Sequence, residues 1–287
     1  MSVVHGHGEG GFDPGFYSDL YSAEERHFWF RGRNKVIGSV ISRIIASFPA
    51  TYRVLEVGCG AGNTTCMLQR LCGPAPVIGM DLFADGLRYA RARGVACLVQ
   101  ADVSRPPFSV PFELVAMFDV LEHVQDDVGV LRRLRSLLRE GGCLVLTVPA
   151  HSSLWSYFDT AACHCRRYEC VDLNEKLRAT GYEVDYMTEF MMFSYPLVWL
   201  RRRWAGRRTA RVAGPTEAAR GELQIHALPN ALLGGLQAME TVFVKRRKRL
   251  PFGTSILVVA RKRTAGSSVL TANFREDPGT PDDSNLG

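Results

Sequence analysis

Residues 53–62 read R-V-L-E-V-G-C-G-A-G. Val54, Leu55 and Val57 form a short apolar run of the kind a buried strand needs. Glu56 sits near the end of that run, and Gly58, Gly60 and Gly62 follow at alternate positions. Glycine permits positive φ and a close approach of backbone to a ligand. A strand that stops at such a turn, with an acid beside it, is built to receive a cofactor. A glycine-rich turn alone is a weak signal, so its surroundings decide what it binds.

The surroundings alternate. Residues 54–57, 77–81, 96–100, 114–118 and 144–148 read as strands, and 64–71, 87–93 and 128–139 as helices between them. Gly141-Gly142 reads as a break ahead of the fifth strand. Strands separated by helices imply a parallel sheet covered on both faces. Right-handed crossovers then leave the C-terminal ends of the strands along one edge, where ligands bind. Farther on, 171–179 reads as a helix, 181–187 as a sixth strand, and 255–260 as a final strand.

At 287 residues the chain is long enough for one large α/β domain with additions. Residues 1–11 lack a basic stretch followed by an apolar core, so no secretory signal is expected. No apolar segment is long enough to read as a transmembrane helix. The 8 cysteines are scattered singly, which fits reduced thiols and a cytoplasmic location. The net charge of +6 is uneven. Arg201, Arg202, Arg203, Arg207, Arg208 and Arg211 form one cluster, and residues 245–249 another. Such clusters suit a phospholipid or nucleic-acid surface, or serve as a solvated helix face.

Four features fall at successive strand ends: Glu56 with Gly58, Cys59 and Gly60; Asp81-Leu82; Asp102-Val103; and Phe118-Asp119, which opens D-V-L-E-H. An acid closing the second strand can accept hydrogen bonds from both hydroxyls of a ribose. Asp102 with Val103 is placed to meet an adenine edge. The acid on the second strand would serve a nicotinamide dinucleotide equally well. The turn argues against that cofactor, because it is G-x-G-x-G rather than G-x-G-x-x-G.

Taken in order, E-V-G-C-G-A-G, the Asp81 strand, A-D-V and D-V-L-E-H-V resemble the motifs of the class I S-adenosylmethionine (SAM) methyltransferases. They cover about half the chain. The resemblance implies a Rossmann-like α/β fold whose sheet has seven strands, the last antiparallel. It implies that Gly58, Gly60 and nearby backbone hold the methionine part of SAM, Asp81 the ribose, and Asp102 the adenine end. The expected cofactor-binding set is Glu56, Gly58, Cys59, Gly60, Asp81, Leu82, Asp102, Val103, Phe118 and Asp119. His27-Phe28-Trp29-Phe30, followed by Arg31, Arg33 and Asn34, is similar to a segment of a bacterial small-molecule subgroup. It is expected to pack over the cofactor mouth as part of a lid, or as core contacts of a leading helix.

Two histidines stand out on the acceptor side. His123 follows Asp119 and Glu122, and a helix opening there would put the three on one face. His164 lies just past the fifth strand, in D-T-A-A-C-H-C-R-R-Y. Either is a candidate general base for deprotonating an acceptor hydroxyl. An alternative is a divalent cation held by Asp119, Glu122, His123 and His164. Ubiquinone-pathway O-methyltransferases and small-RNA 2′-O-methyltransferases carry a similar E-x-x-E-H pattern that binds one. Arg166, Arg167 and Tyr168 either contact an anionic group of the acceptor or pair with nearby acids.

The organisation expected is an N-terminal arm and lid helix at 1–50, a SAM-binding core at 51–189, and a helical cap at 190–250. The last core strand then falls at 251–263 and a disordered tail at 264–287. Apolar and aromatic residues at 191–200 lead into the arginines. That pattern suits a hydrophobic acceptor pocket, a peripheral membrane contact through 190–211, or a cap helix packed on the sheet. The expected activity is methyl transfer from SAM to a small-molecule or lipid-like acceptor, at oxygen. Methylation of nucleic acid or protein, and SAM binding without catalysis, are the alternatives.

Overall fold

Strand β1 (Val54–Val57) is buried along its whole length and pairs in parallel on both sides. A strand covered on both faces must be apolar throughout, which its sequence nearly satisfies. The computed structural model describes residues 16–204, 221 and 226–263, with no side-chain description at 16 and 201–204. Residues 1–15 of the expected N-terminal arm, most of the arginine-rich stretch beyond 204, and the tail at 264–287 lie outside the described residues.

The strands are β1, β2 (Val77–Asp81), β3 (Cys97–Gln100), β4 (Phe112–Phe118), β5 (Leu138–Pro149), β6 (Tyr182–Phe190) and β7 (Ser255–Lys262). They form one seven-stranded sheet in the order β3-β2-β1-β4-β5-β7-β6. The strands β1 to β5 are parallel, and β7 runs antiparallel to β5 and β6. The order reverses between β1 and β4, so a crevice opens there at the C-terminal strand ends.

The helices are α1 (Phe16–Ala23), α2 (Phe28–Ile45), α3 (Asn63–Cys72), α4 (Ala84–Ala92), α5 (Asp127–Leu137), α6 (Tyr157–Ala161), α7 (Cys170–Ala179), α8 (Tyr195–Trp204) and α9 (Ala227–Lys245). In α5 and α7, Leu131, Leu134, Leu173 and Leu177 cover one face of the sheet. The other face is covered by Ile37, Val40 and Ile41 of α2, Leu68 of α3 and Val244 of α9. Apolar residues at 36, 37, 40, 41 and 44 recur at helical spacing, and this stripe buries α2 on the sheet.

Helix α9 lies along α2 and is pinned at both ends. Asn230 accepts the N–H of Phe28 at 2.6 Å and donates to the carbonyl of Arg26 at 2.8 Å, capping α2 from outside it. Near the other end, buried Glu240 accepts the N–H groups of Met191 and Met192, so α9 also holds the chain leaving β6. Gly32 allows the close approach, since a Cβ there would sit 1.7 Å from Gln237 Oε1.

Two local expectations need correction. The Gly141-Gly142 pair does not end the chain ahead of a short strand. It forms a bulge inside β5: Leu138 faces Phe112, and Cys143 already faces Leu114. Gly141 has φ 72°, and a Cβ on Gly142 would meet the carbonyl oxygen of Arg139 at 2.9 Å. Nor does a helix open at Asp119. Asp119 has φ 53°, Leu121–His123 makes a single 3-10 turn, and α5 begins only after Asp126 caps the N–H of Gly129. Asp119, Glu122 and His123 therefore do not share a helical face.

Candidate functional site

The turn after β1 is sewn to the end of β2. The N–H groups of Gly58 and Cys59 both donate to the carbonyl of Met80, at 2.7 and 3.0 Å. The N–H of Gly60 donates to Asp81 Oδ2 at 2.8 Å. Gly58 has φ 74° and Gly60 φ 50°. A Cβ on Gly58 would lie 2.3 Å from Val120 Cγ2, so both conformation and space require glycine there.

Asp81 is buried at the cavity wall. Its Oδ1 accepts the N–H of Phe83 at 2.9 Å, and the backbone of Leu82 bonds the carboxylate as well, so main-chain donors fix it at the end of β2. Burial pushes its pKa up, against the pull of the backbone donors. Asp102 Oδ1 accepts the N–H of Ser104 at 2.7 Å, which shapes the loop after β3.

A cavity of 1180 Å³ runs along these strand ends. It is lined by Gly58, Cys59, Gly60, Asp81, Leu82, Asp102, Val103, Phe118, Asp119, Glu122, His123 and His164. Glu56 is the predicted cofactor residue that does not line it. Its side chain is 1% exposed and accepts the Thr65 hydroxyl at 2.5 Å, tying β1 to α3 behind the turn. Burial pushes its pKa up to about 7. The strand's two-residue period explains this, because Glu56 faces away from Leu55 and Val57.

Asp119 lies 2.5 Å from Arg33 Nε, so α2 is paired directly with the residue that follows β4. The Arg33 guanidinium also sits 5.6 Å from the ring centres of Trp29 and Phe118. Phe28, Trp29 and Phe30 line the cavity, and Phe28 is also buried in the core.

The two histidines come together from distant parts of the chain, with ring centres 4.8 Å apart in an edge-to-face arrangement. His164 Nδ1 lies 2.9 Å from Asp159 Oδ1. Asp159 is fully buried, receives Arg167 Nε at 2.7 Å, and caps α6 through the N–H of Ser156 at 2.8 Å. His123 is bonded to the backbone of Ala162 and Cys163, yet burial and the neighbouring His164 lower its pKa to about 4. Glu122 is buried, and burial, with Asp119 nearby, holds its carboxyl well above the usual carboxylate range. Ligand atoms of Glu122, His123 and His164 all lie within 4.8 Å of one another. Asp119, the fourth member of the sequence-derived metal set, is committed to Arg33.

Arg166, Arg167 and Tyr168 are taken up by internal partners. Arg166 pairs with Asp127 at 2.8 Å, Arg167 with Asp159, and the Tyr168 hydroxyl donates to Asp127 at 3.0 Å. Sequence reasoning missed Tyr17 and Leu20 of α1 and Glu24 just after it, which line the cavity, and it assigned no role to Asp159. For Asp159 a signal existed: Ser156-x-x-Asp159 is a capping box, five residues ahead of His164.

Glycine turn, strand-end acid, sheet order and cavity together define a class I SAM-dependent methyltransferase fold. The residues fit the cofactor: where a Cβ on Gly58 would meet Val120 there is glycine, and the carboxylate of Asp81 stands at the cavity wall beside that turn. The chain belongs to the methyltransferase-domain family, whose model matches residues 29–186. A trans-aconitate 2-methyltransferase of Methylobacterium nodulans is 34% identical over 119 residues, which is 41% of this chain and 45% of that protein. A ubiquinone biosynthesis O-methyltransferase of Xanthomonas campestris is 35% identical over 104 residues, covering 33% and 42%. The tRNA N(3)-cytidine methyltransferase METTL2 of Gallus gallus is 27% identical over 154 residues, covering 49% and 40%. The chain thus spans about half the length of these curated relatives or less. Among solved structures, the methyltransferase bound to the Trm112 activator of Haloferax volcanii has a TM-score of 0.55 at 14% identity, covering 88% of this chain and 97% of that one. That likeness concerns the fold.

Proposed function

We propose that the chain transfers the methyl group of SAM to an oxygen of a small-molecule or lipid-like acceptor. The observation that carries this reading is the buried Asp159 bonded to His164 at the wall of the cavity. When bound, SAM supplies a methyl group activated on a sulfonium. Asp81 is set to hold the ribose, the Gly58–Cys59–Gly60 backbone the methionine part, and Asp102 with Val103 the adenine end. Phe118 and Asp119 close the site from β4.

Asp159 engages Nδ1 of His164, so the other ring nitrogen is the one that takes a proton from the acceptor hydroxyl. With SAM bound, its methyl carbon would pass to the acceptor oxygen and the carbon–sulfur electron pair would leave with sulfur. The hydroxyl proton ends on His164. His123 stays neutral near pH 7, so it adds no second positive charge beside the imidazolium that forms. Phe28, Trp29, Phe30, Phe158, Leu197 and Leu233 give the cavity an apolar wall, which favours an apolar acceptor body. The relatives named for trans-aconitate and for ubiquinone biosynthesis support a small or lipid-like acceptor.

The test is turnover to S-adenosylhomocysteine across a panel of phenols, carboxylic acids and lipid-tailed hydroxyl compounds, with His164→Ala as control. Turnover only with RNA or protein would sink the acceptor reading in favour of the alternative that the tRNA-methylating relative keeps open. SAM binding without turnover on any acceptor would favour a non-catalytic role.

One observation favours a second reading, in which a divalent cation polarises the acceptor. Glu122 Oε2 is buried without a hydrogen-bond partner among the described residues, within reach of His123 and His164. Activity that survives chelation would end that reading. A cytoplasmic location and membrane contact through 190–211 complete the proposal. No helix among the described residues is long and apolar enough to cross a membrane.

A further inference from the structure

Up to its last residue, Lys245, the outward face of α9 carries no charge. From Ala227 to Val244 the one ionisable residue is Glu240, and it points inward to the backbone of Met191 and Met192. Leu228, Leu232, Met239, Val242 and Phe243 face out, with the two leucines 84% and 67% exposed. The spacing of 228, 232, 239 and 243 draws one stripe about 22 Å long, at the helical rise of 1.5 Å per residue. An exposed helix face ordinarily carries polar residues, so a stripe of this kind marks a surface meant to be covered.

Charge points to what covers it. Lys245, Arg246, Arg247, Lys248 and Arg249 follow the stripe directly, and Lys245, Arg246, Lys248 and Arg249 are exposed. Helix α8 repeats the pattern: Leu197, Trp199 and Leu200 are exposed, and Arg201, Arg202 and Arg203 come next in sequence. Apolar residues that end in cations, with a tryptophan among them, match a bilayer whose acyl boundary lies under anionic headgroups. A nucleic acid would need its cations spread along a groove rather than gathered at the end of a row of leucines.

The same helices wall the cavity. Leu197 and Val198 of α8 and Leu233 of α9 line it, one turn or less from the exposed residues. We propose that the outward faces of α9 and α8 seat the protein on an anionic phospholipid bilayer, with the acceptor side of the cavity toward the lipid. This extends the contact through 190–211 to α9, and rests on the lipid-like reading only for what the contact delivers. Its test reads binding rather than turnover, so either can fail alone.

The full chain is floated with vesicles of phosphatidylcholine, with and without phosphatidylglycerol. Binding is expected to the mixed vesicles and to fall as salt is raised. Leu228→Glu/Leu232→Glu and Lys245→Glu/Arg246→Glu should each lower the bound fraction on the order of tenfold or more, with SAM affinity and circular dichroism unchanged. Equal binding to neutral vesicles would overturn the electrostatic part. No flotation overturns the whole proposal. In that case a dimer lost in the leucine variant assigns the face to a second copy, and a lower melting temperature assigns it to the chain's own residues. RNA binding lost in the lysine–arginine variant would assign the cations to nucleic acid.

Discussion

His164 Nδ1 lies 2.9 Å from Asp159 Oδ1, and the carboxylate that holds it has no exposure to solvent. Asp159 also takes Arg167 Nε and the N–H of Ser156, so its position is fixed from three sides. Held this way, His164 in its proposed role as base would lose no orientation when an acceptor arrives. Asp159→Asn keeps the shape of the side chain but can present its NH₂ group to Nδ1, favouring the wrong tautomer. The expected result is a fall in kcat of about 100-fold or more, with the KM for SAM and for the acceptor little changed. His164→Ala should fall at least as far. A rise in KM at unchanged kcat in Asp159→Asn would show that the pair only shapes the pocket.

His123 makes stability depend on pH. Its pKa is about 4 in the folded protein, against about 6.5 when unfolded. Between those values the unfolded chain binds a proton that the folded chain does not, so stability rises with pH. The contribution is fully present above pH 6.5 and is lost as pH falls toward 4. It amounts to roughly 3–4 kcal/mol at most, from 1.4 kcal/mol per pKa unit. Denaturation in urea across this range should give a flatter profile for His123→Asn than for the parent. Parallel profiles would mean that the ring is more hydrated than its surroundings imply.

How far the sequence carried depended on whether a feature was local. The β1 turn was legible because strand, acid and glycines are contiguous, and Asp81 and Asp102 because each closes an apolar run. The Arg33–Asp119 pair was not legible: it joins α2 to β4, and Asp119 leaves helical geometry at φ 53°. Glu56 misled because its place beside the turn outweighed the two-residue period that turns it toward Thr65. Gly141-Gly142 was recognised as an irregularity, but only the pairing of Leu138 with Phe112 shows that the strand continues through it. The His123–His164 contact depends on Cys165 donating its N–H to the carbonyl of Glu122 at 2.7 Å, a tertiary bond with no sequence signature.

Asp81 supports the glycine turn and faces the cavity. Asp81→Ala removes the acceptor of the Gly60 and Phe83 N–H groups together with any ribose contact. Charge-assisted hydrogen bonds contribute about 1.5–3 kcal/mol, so SAM affinity should fall roughly 10- to 100-fold. Calorimetric titration of the purified variant measures this. Affinity within twofold of the parent would remove Asp81 from the cofactor site.

Gly58 is constrained by conformation and by space at once. Its φ of 74° disfavours any Cβ, and Val120 Cγ2 would stand 2.3 Å from one. Gly58→Ala should therefore lower stability by about 1–3 kcal/mol. It should weaken SAM binding further, because relief of the clash moves Val120 at the cavity wall. Val120→Ala in the same chain removes the clashing methyls but not the φ penalty. The double variant is expected to recover part of the lost affinity while staying less stable than the parent. Full recovery of both in thermal denaturation and titration would show that space alone, and not the turn's conformation, requires glycine.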